Sequence, residues 1–140
     1  MSAIIITGST GLVGSEAVEF FCKKNFHVVG IDNNYRKYFF GKDGDTKWIK
    51  SRLKNKFKNY THLNCDIRNK KKIRDVFKKF NSDIKLVIHA AGQPSHDWAI
   101  KEPFTDFSIN AEGTLNLLNN TKEFAKRSPF IFLSTNKVYG

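Results

Sequence analysis

Cysteine, proline and methionine are scarce in this chain of 140 residues, which holds 2, 3 and 1 of them respectively. Cys22 and Cys65 stand far apart in sequence. They supply neither a disulfide framework nor the paired spacing of a structural zinc site, and no metal site is expected. Also missing is any apolar run near the ~20 residues that a bilayer-spanning helix needs. No basic stretch precedes the short apolar Ile4-Ile5-Ile6, so it does not read as a secretory leader. No membrane partner is expected, and the cytoplasm is the default compartment. Acidic residues are in the minority, with 13 Asp and Glu against 24 Lys and Arg, a net charge of +11.

Such a charge invites a nucleic-acid partner, so its distribution matters. Residues 36–79 carry 16 basic and 4 acidic side chains, whereas the rest of the chain carries 8 and 9. Within that segment Trp48, Ile49, Leu53 and Phe57 recur near every fourth residue, beside Lys47, Lys50, Lys54 and Lys58. This is the texture of a solvated amphipathic helix in a basic insertion over about 33–59. No nucleic-acid motif accompanies it, and nucleic acid is not expected among the partners.

The length suits one domain. Short β-branched or apolar runs predict strands over 4–7, 27–31, 60–64, 85–91 and 130–134. A helix is predicted from Leu12 to about Asn25, with Val13, Ala17, Val18, Phe20 and Phe21 toward the core. Another is marked by Ile73, Val76, Phe77 and Phe80, with Asn69 as its N-cap. A long helix is predicted over 103–126, with Phe107, Ala111, Leu115, Leu118 and Ala125 on its inner stripe and Pro129 marking the break after it. Strands alternating with helices give the α/β class and a doubly wound parallel sheet.

Between the first strand and first helix lies Gly8-Ser9-Thr10-Gly11-Leu12-Val13-Gly14, a GxxGxxG turn. Glycine there permits a tight turn, close approach of backbone to a pyrophosphate, and close packing of helix on strand. A flexible strand–helix turn is the alternative reading of the glycines alone. Asp32 ends the second strand 18 residues after Gly14, near the ~20 expected of a carboxylate that accepts the adenosine ribose hydroxyls. Together they predict a Rossmann-type fold binding a dinucleotide, with NAD favoured because a carboxylate repels a 2′-phosphate. Arg36 offers such a phosphate a competing guanidinium. The six-stranded Rossmann arrangement has one more βαβ step than these five strands. Either the fold is a five-stranded variant, or residues 1–140 are the N-terminal part of something longer, an incomplete dinucleotide-binding domain with C-terminal strands missing.

Further words of the sequence carry a family resemblance. They are Asp66-Ile67-Arg68, His89-Ala90-Ala91-Gly92, Asn110-x-x-Gly113-Thr114-Leu115 and Ser134-Thr135-Asn136-Lys137-Val138-Tyr139-Gly140. With the glycine turn they resemble the extended short-chain dehydrogenase/reductases, the NAD-dependent epimerase/dehydratase group acting on nucleotide sugars. HAAGQPSHDWA, INAEGTLNLL and STNKVYG look most like the CDP-sugar 2-epimerases of that group.

The resemblance implies that Gly8, Gly11, Leu12, Val13 and Gly14 cradle the pyrophosphate, while Asp32 and Asn33 take the adenosine ribose. It implies that Asp66 and Ile67 border the adenine, Asp66 being otherwise a capping acid before Asn69. Ala90, Ala91, Gly92 and Gln93 would line the cofactor toward the nicotinamide, and Asn110 would brace the fourth strand from the long helix. Thr135 matches the catalytic Ser/Thr, which hydrogen-bonds the sugar oxygen under oxidation, and Tyr139 matches a structural tyrosine. Ser95, His96 and Asp97 are sequence neighbours and cannot form a triad. They read as a loop at the carboxyl end of the fourth strand, where Ser95 or His96 could touch substrate or simply face solvent. His27, His62 and His89 read as packed or capped histidines, and Cys22 as a core residue.

The family's catalytic YxxxK is expected downstream of Gly140, and so is the substrate domain. Tyr38 is followed by Lys42, but in the basic insertion and far upstream of any catalytic position. The expectation is therefore the N-terminal, NAD-binding part of an epimerase that works by transient oxidation of a nucleotide sugar, homo-oligomeric when full length and inactive as 140 residues alone. The alternatives are a 4-epimerase or 4,6-dehydratase of the same group, or a non-enzymatic NAD-binding module.

Overall fold

The computed structural model describes residues 2–134. Its core is a five-stranded sheet in the order β3-β2-β1-β4-β5, every pair parallel. The strands are β1 (Ala3–Thr7), β2 (His27–Ile31), β3 (Tyr60–Leu63), β4 (Ile84–His89) and β5 (Phe130–Phe132). The sheet is the doubly wound α/β arrangement, and β1 lies between β2 and β4. The chain reverses its direction of travel across the sheet there, so a crevice opens above the carboxyl ends of β1 and β4.

Alternation along β1 divides the core between the two faces. Ile5 faces a layer with Val29, Ile73, Phe77, Val87 and Leu117, built on α4 (Lys70–Phe80) and α7 (Gly113–Phe124). Ile4 and Ile6 face the other, with Val28 of β2, Val18 and Cys22 of α1 (Leu12–Lys23) and Leu53 of α3 (Lys47–Lys56). A strand buried on both faces has no polar alternation, which is why β1 reads as a plain apolar run. Asn69 caps α4, its side chain accepting Lys72 N–H at 3.0 Å.

The insertion between β2 and β3 contains α2 (Arg36–Phe40), a 3₁₀ turn (Gly41–Gly44) and α3. Leu53 is its fully buried anchor, whereas Trp48 is 65% exposed. Arg52 and Lys56 reach Glu19 of α1 at 2.9 and 2.8 Å, holding α3 beside α1.

Two helices depart from the sequence expectation. In α1, Val18 and Cys22 are buried and Ala17 and Phe21 pack against them as expected, but Val13 and Phe20 are exposed, and Gly14, Ser15 and Glu19 face inward. The expected single helix over 103–126 is broken into α6 (Pro103–Phe107), a π turn (Ser108–Glu112) and α7, preceded by α5 (His96–Lys101). The π turn adds a residue to the winding and shifts the phase of α7. The expected stripe of Phe107, Ala111, Leu115 and Leu118 faces outward as a whole, on both sides of that turn, and Ile109, Asn116, Leu117, Asn120 and Thr121 face the core. Ala125 is buried as expected.

Candidate NAD-binding site

A cleft of about 870 Å³ occupies the crevice at the carboxyl end of the sheet. Its floor is the turn after β1. Gly8 adopts φ of +65°, and a side chain there would meet the Ala90 carbonyl and Ala91 nitrogen at 2.7 Å. Gly14 lies against the Gly8 carbonyl so closely that any Cβ would collide with it. The turn is thereby drawn under the β4 loop, and backbone rather than side chains forms the surface.

Gly11 is the N-cap of α1 and contributes no side-chain cap, and the first turn holds no acidic residue. Leu12 is 85% exposed at the helix mouth. Backbone N–H groups there, with the positive end of the helix dipole, suit a phosphate. Asp32 stands at the end of β2, its Oδ2 accepting Thr10 N–H at 3.0 Å and its Oδ1 accepting Asn34 N–H at 2.7 Å. A small-residue floor, an uncapped helix start and a carboxylate beyond it fit a dinucleotide in extended form.

The wall beside β3 is built by Cys65, Asp66 and Ile67. Asp66 accepts Arg68 N–H at 2.8 Å, two guanidinium N–H groups at 3.0 and 2.7 Å, and Asn33 Nδ2 at 3.2 Å. Burial works to raise this carboxyl, but the Arg68 hydrogen bonds and charge, with Asn33, hold it below the usual range. Helix capping falls to Asn69 instead.

On the other side, Ala90, Ala91, Gly92 and Gln93 follow β4 into the cleft. Asn110, in the π turn, accepts Gln93 N–H at 2.9 Å and donates to Gln93 O at 3.2 Å and Asp106 Oδ1 at 3.1 Å. The amide thus ties the loop after β4 to the helix. Ser95 is the N-cap of α5, accepting Trp98 N–H, and His96 opens that helix on the cleft rim. The Ser95 hydroxyl thus serves as a helix cap.

The thirteen residues expected to meet the cofactor and Asn110, expected to brace the site, all line this one cleft, as do Ser95 and His96. Thr135 and Tyr139 lie outside the described residues. Tyr35, Arg36 and Phe39 of the insertion also line the cleft, and no sequence motif places them there. Trp98 Nε1 donates to Phe39 O at 2.8 Å and Tyr38 OH to Glu102 Oε1 at 2.6 Å, so α2 is fastened to α5 across the mouth. The signal that could have found this contact is the aromatic density of Tyr35, Tyr38, Phe39 and Trp98, whose rings pack within 5.1–5.6 Å of one another. Tyr38 is no activated base, because its hydrogen bond to Glu102 pushes the phenol upward.

The family model for the NAD dependent epimerase/dehydratase family matches residues 4–140. The chain belongs to that family. Its cofactor is accordingly NAD. CDP-paratose 2-epimerase of Salmonella typhi is 34% identical over 137 residues, which are 98% of this chain and 38% of that protein. UDP-glucuronate 4-epimerase of Thermodesulfobacterium geofontis is 28% identical, over 99% of this chain and 41% of that protein. Among solved structures, UDP-glucose 4-epimerase from Bifidobacterium longum in complex with NAD+ and UDP superposes with a TM-score of 0.81 at 24% identity, covering 99% of this chain and 38% of that one. The chain thus spans about two fifths of the length of these relatives. Among the described residues, no helix is long and apolar enough to cross a membrane and no cluster of potential ligands could hold a metal ion.

Proposed function

We propose that this chain is the NAD-binding part of a nucleotide-sugar 2-epimerase acting on a CDP-sugar such as CDP-paratose. The observation that supports the reading is the meeting of four separated sequence words in one cleft: the glycine turn, Asp66-Ile67, Ala90-Ala91-Gly92 and Asn110 with Thr114. The likeness to the Salmonella typhi enzyme supports the choice of sugar nucleotide. Bound NAD supplies a hydride acceptor that can return the hydride to the opposite face of the sugar. The chain's own part is to hold it: the α1 start binds the pyrophosphate, Asp32 and Asn33 the ribose, Asp66 and Ile67 the adenine, and residues 90–93 the path to the nicotinamide. Thr135 hydrogen-bonds the sugar oxygen that loses its proton. The tyrosine and lysine that would accept this proton do not occur at a suitable place in the 140 residues. The 140-residue chain therefore binds NAD without turnover, and the active form is a homo-oligomer of a longer protein.

Two measurements test this reading. Calorimetric titration of the chain with NAD should give saturable binding. The longer protein, incubated with NAD and CDP-paratose and followed by proton NMR, should invert the configuration at C2. Inversion at C4 of UDP-glucose, with CDP-paratose untouched, would replace the 2-epimerase with a 4-epimerase. A chain that binds NAD but has no longer active form would favour a binding module.

A further inference from the structure

A closed ring of hydrogen bonds joins the glycine turn, the end of β2 and the residue before α3. Thr10 N–H donates to Asp32 Oδ2 at 3.0 Å, and Asn34 N–H donates to Asp32 Oδ1 at 2.7 Å. Thr46 donates twice to Asn34 Oδ1, from its N–H at 2.9 Å and its hydroxyl at 3.0 Å. The ring closes where Thr10 Oγ1 and Thr46 Oγ1 lie 2.8 Å apart. A hydroxyl has one proton to give, and that of Thr46 goes to Asn34, so Thr10 donates to Thr46. Both threonines are buried. Asn34 holds φ of 58°, and its amide nitrogen is anchored at 3.0 Å by Asp45, which in turn pairs with Lys37 at 2.9 Å.

The charge around Asp32 sharpens what the ring does. A second, smaller cavity of about 120 Å³ adjoins the carboxylate, and its wall includes Lys47 and Lys50. Two lysines lining the same cavity offset the repulsion of a phosphate by the single carboxylate. Discrimination against a 2′-phosphate therefore cannot rest on the charge of Asp32 alone. It requires the carboxylate to be held in the ribose position, with both oxygens fixed, so that a phosphate cannot displace it toward the lysines.

We propose that Thr46 is a positioning residue for Asp32, and that through it the insertion sets the preference for NAD over NADP. The inference rests on the NAD-binding reading above. Thr46 does not line the cofactor cleft; it acts by closing the ring from the far side. Removing its hydroxyl leaves the Thr10 hydroxyl without its acceptor and loosens Asn34, and both donors to Asp32 move with them.

Calorimetric titration of the purified protein with NAD and with NADP separates the possibilities. Wild type should prefer NAD. Thr46→Val keeps the shape and removes the hydroxyl, and the NAD-to-NADP affinity ratio should fall by about five-fold or more, the scale of one or two lost hydrogen bonds. Thr46→Ser should restore it. A proportionate loss of both affinities, leaving the ratio unchanged, is what a merely structural role predicts and would overturn the proposal. So would failure of serine to rescue. Should the valine variant not fold, Asn34→Gly is read in its place, since glycine keeps the positive φ but lacks the amide; an unchanged ratio there overturns the proposal equally. Absence of NAD binding by the wild type is a separate result that removes the NAD-binding reading itself, and the role of Thr46 with it.

Discussion

His89 Nε2 lies 2.8 Å from Thr114 Oγ1, and the direction of that hydrogen bond fixes the state of the ring. Thr114 gives its own proton to Asn110 O at 2.6 Å, so the imidazole must donate through Nε2. Nδ1 is then bare and accepts from Thr7 Oγ1 at 2.7 Å, while Thr7 Oγ1 accepts Ala91 N–H at 3.2 Å. A proton on Nδ1 would make Thr7 Oγ1 accept from both sides and cost the Thr7 hydroxyl this acceptor for its own proton. Burial works the same way, pushing the imidazole from 6.5 down to about 4. One neutral tautomer therefore links β1, β4 and the π turn beneath the cleft.

Acid should weaken the fold through this residue. The unfolded chain takes up a proton on His89 near its ordinary value of 6.5, which the native state refuses until about 4. Between those values the unfolded state binds more protons, so stability falls as pH falls, by up to about 3 kcal/mol from this group. The contribution is intact above pH 6.5. Urea melts of wild type and His89→Gln at pH 7, 6, 5 and 4.5 check it, the variant having no imidazole to protonate. The stability gap between them should narrow with acidification, and parallel curves would refute the assignment.

Gly14→Ala should damage both stability and NAD binding, although alanine is the better helix former. Its Cβ would collide with the Gly8 carbonyl and meet the Gly8 carbonyl carbon at 2.7 Å. Backbone cannot yield as a side-chain tip can, and overpacking of this kind costs on the order of 1–3 kcal/mol. Thermal melting and NAD titration of the variant report the two effects. A variant with wild-type stability and affinity would show that the turn is not held as tightly as the contact implies.

Both thiols should be inert in the native protein. Burial, with the nearby Glu19 carboxylate, pushes Cys22 up to about 11, and burial also raises Cys65. The thiolate is the reactive form. Ellman's reagent at pH 8 should therefore find no rapidly reacting thiol in native protein and two after denaturation in guanidinium.

The sheet and cleft are largely legible in the sequence because their signals are local. Doubly buried strands read as apolar runs, and the glycine turn and Asp32 occupy positions fixed by the geometry of one βαβ unit. The features that escape such a reading depend on contacts across the fold. Thr46 belongs to no motif, and only the folded chain brings it 2.8 Å from Thr10, 36 residues away. The winding of the helix after Pro103 is hidden for a different reason. Phe107, Ala111, Leu115 and Leu118 form a well-spaced apolar stripe, yet the buried face includes Asn116, whose amide donates to Ile67 O at 2.8 Å. A hydrogen-bonded amide can replace an apolar side chain inside, and periodicity does not register that exchange.

Paired substitutions in α7 test the observed phase directly. Leu117 is fully buried in the layer with Ile73 and Phe77, whereas Leu115, two residues earlier, is 57% exposed. Leu117→Ala removes methyl groups from a packed interior and should cost about 2–5 kcal/mol. Leu115→Ala leaves no cavity and, as a surface change, should stay within about 0.5 kcal/mol. Equilibrium denaturation of both variants beside wild type reads the difference. The opposite order, with Leu115→Ala the costlier change, would restore the apolar stripe to the core and contradict the observed phase of α7.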